Sequence, residues 1–240
     1  MSEFKFPTEV VDLPSKGLVY PEGHPLRSGT VEMKYMTAKE EDILTNQNYI
    51  SKGIVLDKLL EALTMGKIDI KDLVTGDKNA ILVASRILGY GKDYSFTYNG
   101  KEHTVDLSTI ENKSFDPSLI TIHGTFKYTL PKSGNEVEFK LLSANEETKI
   151  EQEIQGYKKI NKDSSPEITT RLKHQIISVE GNKDKNAIRD FVDNHLLAVD
   201  SRSLRLYIKS ISPDVDLTYK DGDEVIDIPI SLNFFWPDLL

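Results

Sequence analysis

V-E-M-K-Y-M-T-A-K-E-E-D-I-L, Val31 to Leu44, decides the fold class, because one short run carries a strand, a helix cap and a helix start. Val31, Met33 and Tyr35 alternate with Glu32 and Lys34, the period of a strand with one face in a core. Thr37 then stands three residues ahead of Glu40. That is the spacing of a capping box, in which the hydroxyl accepts from a free helix N–H and the carboxylate reaches back to the N–H of the cap. The pattern returns without a gap as V-E-F-K-L-L-S-A-N-E-E-T-K-I, Val137 to Ile150. Val, Glu, Lys, Ala and both Glu are identical, and Ser143 takes the place of Thr37 ahead of Glu146. Strand, cap and helix written twice predict an internal duplication in an α+β fold.

The flanking segments repeat the plan. In the first half Ile54, Leu56, Leu59, Leu60 and Leu63 form a helical stripe that Gly66 stops. Asp77 is expected to cap a helix over Lys78–Leu88, and Asn99-Gly100 between alternating runs marks a hairpin. In the second half a hairpin turns at Pro131-Lys132-Ser133-Gly134, and the copied helix starts at Ala144. Glu167–Val179 fits a helix at Ile168, Leu172 and Ile176, and a strand at its β-branched end. Ala187–Leu197 reads as a helix, Asp200 or Ser201 caps another over Arg202–Ile211, and a last hairpin leads from Leu217 to Ile230. The expected organisation is an extended N-terminal arm (1–26), a first strand–helix–hairpin module (27–122) and a second (124–240) with an insertion near 155–185 and an aromatic tail. The expected core holds Val31, Met33, Leu59, Leu63, Ile81, Ile87, Val137, Phe139, Leu204, Leu206 and Ile208.

Composition narrows the function. The chain has 240 residues, 38% hydrophobic and 28% charged, as globular proteins do. Its net charge of −8 is spread over both halves, which weighs against nucleic acid as a partner and suits protein partners. The absence of Cys excludes disulfides and cysteine zinc sites. No two His stand at the spacing that puts two ligands on one helix face. Gly89-Tyr90-Gly91-Lys92 follows a helix and precedes a strand, the reverse of a phosphate loop. Glu40-Glu41 and Glu146-Glu147 fall in first helical turns, where they complement the helix dipole. No catalytic, cofactor-binding or metal-binding residue is therefore expected, and no small-molecule substrate. No apolar run is long enough for a membrane span, and the N-terminal stretch does not read as a signal peptide, so a cytoplasmic protein is expected. The alternative is a hydrolase built from scattered His and carboxylates. Its mark would be His103 or His123 within hydrogen-bond reach of a carboxylate. Residues that could meet a partner are Leu18 and Tyr20 in the arm, Arg202 and Arg205 on one helix face with Lys209, and Phe234, Phe235 and Trp236 in the tail.

Four stretches carry a family resemblance: V-D-L-P-S-K-G-L-V-Y-P-E-G-H-P-L (Val11–Leu26), V-E-M-K-Y-M-T-A-K-E-E-D-I-L-T (Val31–Thr45), D-S-R-S-L-R-L-Y-I (Asp200–Ile208) and F-F-W-P (Phe234–Pro237). Together they resemble the baseplate hub subunit and hub-assembly protein family of T-even-type contractile-tailed phages. The resemblance implies a non-enzymatic role, as structural subunit or assembly chaperone, in building the central hub of the tail baseplate. It implies hub or tail proteins as partners and the cytoplasm of the infected bacterium as the place of assembly. The motifs leave open whether the protein stays in the virion.

Overall fold

A computed structural model describes residues 7–160 and 166–235 and shows an α+β fold. The strands are β1 (Thr8–Asp12), β2 (Thr30–Lys34), β3 (Asp93–Tyr98), β4 (Lys101–Asp106), β5 (Phe126–Thr129), β6 (Glu136–Phe139), β7 (Ile176–Val179), β8 (Thr218–Asp221) and β9 (Glu224–Asp227). The helices are α1 (Ala38–Leu44), α2 (Gln47–Ser51), α3 (Val55–Leu63), α4 (Thr75–Tyr90), α5 (Ala144–Ile160), α6 (Glu167–Gln175), α7 (Lys185–Asp190) and α8 (Ala198–Ile211). All pairing is antiparallel: β1 with β2, β3 with β4, β8 with β9, and a three-stranded sheet in the order β5-β6-β7.

The stretch from Val31 folds as its pattern demands. Val31 and Met33 point into the core, and the turn into α1 is a capping box. Glu40 takes the Thr37 N–H at 3.0 Å and an ion pair from Lys34 at 2.8 Å. Its counterpart Glu146 takes the Ser143 N–H at 3.1 Å and an ion pair from Lys140.

The expected extended arm is instead folded. β1 is the partner of β2, and Leu13, Tyr20 and Leu26 are buried behind it. The Arg27 guanidinium donates to the carbonyls of Leu18 and Tyr20 at 2.7 and 3.0 Å and ties the intervening turns down. Gly17 sits at a φ of 75°, and a Cβ there would lie 2.4 Å from the Arg27 carbonyl oxygen, so no larger residue fits the corner.

The expected helix caps, at Asp77 and at Asp200 or Ser201, are also corrected, in the same way. α4 starts at Thr75 and α8 at Ala198, so each Asp lies inside the first turn, one residue earlier in its helix than Lys78 and Ser201. Each carboxylate faces a turn rather than its own helix end. Asp77 accepts from the Ser15 N–H, the Ser15 hydroxyl and the Tyr20 hydroxyl at 2.9, 2.6 and 2.6 Å. Asp200 accepts from the N–H groups of Lys132 and Ser133 at 2.8 and 3.0 Å. The turns are Pro14-Ser15-Lys16-Gly17, at the start of the connection from β1 to β2, and Pro131-Lys132-Ser133-Gly134, which joins β5 to β6.

Two apolar cores result, and their borders differ from the expected modules. The second core gathers Phe126, Val137, Phe139, Leu172, Ile176 and Ile188 with Leu204, Ile208 and Ile211 of α8. The first includes Leu59, Leu63, Ile81, Tyr94 and Phe96, and also Val215, Ile226, Ile228, Phe234 and Phe235. The last hairpin, expected to close the second module, thus closes the first. Tyr219 meets Phe96 edge-on at 6.1 Å, and Tyr94 meets Phe234 at 4.7 Å. The chain crosses back where Asn112 bridges Val215 and the Lys113 N–H donates to the Asp214 carbonyl at 2.8 Å. Leu206, expected in the core, is 58% exposed on α8.

Gly76 marks the closest approach at this crossing, where a Cβ would lie 1.9 Å from the Pro213 carbonyl oxygen. Gly76→Ala must push the start of α4 away from residues 213–214. It is expected to lower stability by about 1–3 kcal/mol, read as a shift of the urea midpoint, as overpacking does. An unchanged midpoint would mean that this contact is not made in solution.

Candidate functional site

α8 is the element that presents a surface. Leu204, Ile208 and Ile211 turn into the second core, and Asp200 holds the first turn on the loop of the β5–β6 hairpin. Burial works to raise the Asp200 carboxyl, and the hydrogen bonds from Lys132 and Ser133 outweigh it and hold it below the usual range. With 3.6 residues per turn, Val199, Arg202, Leu206 and Lys209 then fall on the opposite side, with Arg205 beside them. Val199 is 56% exposed, and the three basic side chains are all exposed. None of them makes an ion pair or hydrogen bond with a described residue. One face of one anchored helix therefore carries three cations and two large apolar groups. Leu197, 45% exposed just ahead of the helix, extends the apolar part.

The other expected partner residues lie elsewhere. Tyr20, Phe234 and Phe235 are buried in the first core, which corrects their reading as surface anchors. Leu18 is half-buried in the turn held by Arg27, and Trp236 lies outside the described residues. Phe234 and Phe235 dock on the first core, where Tyr94 and Phe235 are edge-to-face partners of Phe234. The pattern missed Val199 and Leu206 as surface groups. Leu204 and Ile208, four apart, share one face of the helix, and Leu206, two residues from each, falls on the other wherever the helix starts, so the spacing could have placed it outside.

No family model, curated protein or solved structure matches the chain.

The titratable groups are arranged as follows. His103 is buried between Phe96 and Tyr219, and its Nδ1 lies 3.8 Å from Asp221, beyond hydrogen-bond reach. His123 is exposed and is paired with no described carboxylate. His24 with Asp72 at 3.2 Å and His174 with Glu153 at 3.0 Å are pairs near the surface. Among the described residues no group of His, Asp and Glu could hold a metal ion, and no helix is long and apolar enough to cross a membrane. Asp77, a fully buried carboxylate, spends its hydrogen bonds on Ser15 and Tyr20 inside the fold.

Proposed function

We propose that this chain is a non-enzymatic component of a phage tail baseplate hub, a structural subunit or assembly chaperone acting through contacts with other hub or tail proteins. The observation that carries the reading is the outward face of α8, where Arg202, Arg205 and Lys209 surround Leu206 and Val199. Arginine beside exposed apolar side chains is the composition of interface anchors, and a helix fixed at its first turn and along its back presents them in one geometry. The family resemblance supplies the partner class, and it includes the Asp200–Ile208 stretch of this helix. The protein acts during assembly in the cytoplasm of the infected bacterium.

The same reading takes the two halves as copies of one ancestral unit. Its support is the recurrence of details that a fold class does not require. The Lys34–Glu40 and Lys140–Glu146 pairs stand at equal spacing. Asp77 and Asp200 each accept from a P-x-x-G turn at the same position of a long helix.

Co-expression with the hub proteins of a contractile-tailed phage tests the function. A stable complex is expected, and Arg202→Glu with Arg205→Glu should weaken it about tenfold or more while leaving the circular dichroism spectrum unchanged. Failure of every hub and tail component to co-purify with the wild-type chain would sink the proposal.

A further inference from the structure

We infer that the groove between β7 and α7 is a second docking site, one that takes an extended acidic segment of a protein partner. The groove has a volume of about 280 Å³ and a floor of Ile176, Ile177 and Ile188. That is below the size of pockets that enclose a drug-sized molecule, and it suits a few side chains projecting from a longer chain. β7 is the edge strand of its sheet, but Val179 exchanges both backbone hydrogen bonds with Asn182, so the groove holds its occupant by side-chain contacts rather than by an added strand. The β6–β7 register shifts at Glu138/Phe139, which leaves Ile177 as the extra residue of a bulge lining the groove.

The charge around this floor gives the chemistry of the occupant. Three of the basic groups lining the groove are already satisfied: Lys140 by Glu146, Lys173 by Asp193 at 2.6 Å, and His174 by Glu153. Lys183, Lys185 and Arg189 are exposed and make no ion pair or hydrogen bond with a described residue. In a chain of net charge −8, an apolar floor rimmed by three cations that pair with no described residue selects for carboxylates next to apolar side chains. Single-stranded nucleic acid fits less well, since it binds by stacking on aromatic rings and none of the described residues lining the groove is aromatic. The site shares no residue with the α8 face and does not rest on the hub reading.

Fluorescence anisotropy of the full chain with a short labelled peptide of glutamate and leucine tests this directly. Binding is expected that weakens with added salt and falls about tenfold or more in Lys183→Glu/Lys185→Glu. Arg189→Glu should weaken it separately. Lys39→Glu/Lys52→Glu, the same charge change on the first module, should not weaken it comparably. All of these side chains are exposed, so circular dichroism should show each variant folded. Absence of peptide binding by the wild type overturns the inference, as does equal binding by the groove variants. Tighter binding of oligothymidylate that the same substitutions abolish would overturn it in favour of nucleic acid.

Discussion

Asp77→Ala is expected to destabilise the protein by about 3 kcal/mol, because it leaves buried donors without an acceptor. The carboxylate collects the Ser15 N–H, the Ser15 hydroxyl and the Tyr20 hydroxyl, and it is fully buried. Neither hydroxyl is free to reverse its role. The Ser15 oxygen already accepts from the Gly17 N–H at 3.1 Å, and the Tyr20 oxygen from the Val74 N–H at 3.1 Å. Both hydrogens are thereby directed at Asp77, and removing the carboxylate strands them together with the backbone N–H of Ser15. Chemical denaturation followed by tryptophan-independent far-UV circular dichroism measures the loss. A change below about 1 kcal/mol would place these donors in contact with water instead.

The same site predicts a pH dependence. Burial pushes the Asp77 carboxyl above its ordinary value, ahead of the hydrogen bonds from Ser15 and Tyr20 that pull it down. The fold therefore holds this proton more tightly than the unfolded chain does. Its stabilising effect is complete below the ordinary carboxylate range, about pH 4, and is lost as pH rises through the higher folded value. Asp77→Asn has no proton to lose there. The stability of the wild type relative to Asp77→Asn should accordingly fall over that window, and a difference that rose with pH would reverse the sign assigned to Asp77.

What the sequence could and could not reveal follows from the range of the forces involved. Val31–Leu44 and its echo were legible because alternation and capping are set by neighbours within a few residues. Asn99-Gly100 was legible for the same reason, as the hairpin turn of β3 and β4. Glu167–Val179 read as both helix and strand because it is both, α6 running directly into β7. The bonding partners of Asp77 and Asp200 were out of reach. Each bond spans more than 55 residues, and an Asp before an apolar run looks like a cap whichever way its carboxylate turns. The surface of α8 was half legible. Arg202 and Arg205 were assigned by charge, while Leu206 was misplaced because it was judged by its apolar side chain and not by its spacing from Leu204 and Ile208, which puts it on the opposite face. The β7–α7 groove draws on four separate segments, and no window of the sequence contains it.

The second large effect is expected at Phe234, where alanine should remove about 3–5 kcal/mol, the range for a large aromatic side chain lost from a core. Phe234 and Phe235 are completely buried and meet edge-to-face at 5.3 Å. Phe234 also packs on Tyr94 of β3, whose hydroxyl donates to the Pro229 carbonyl at 3.2 Å. The C-terminal segment is thus held to the first hairpin by rings and by a hydrogen bond near its start. A cavity at Phe234 opens in the first core alone, so amide exchange should accelerate most in α4 and β3–β4 and less in β5–β7 and α8. A fragment ending at residue 122 should fail to fold for the same reason, since it lacks Val215, Ile226, Ile228, Phe234 and Phe235. If the alanine variant lost less than about 1 kcal/mol, the tail would be a surface appendage, open to a partner's pocket. If it loses the larger amount, Phe234 and Phe235 are committed to the fold, and the proposed partner contacts fall to the exposed faces of the second core.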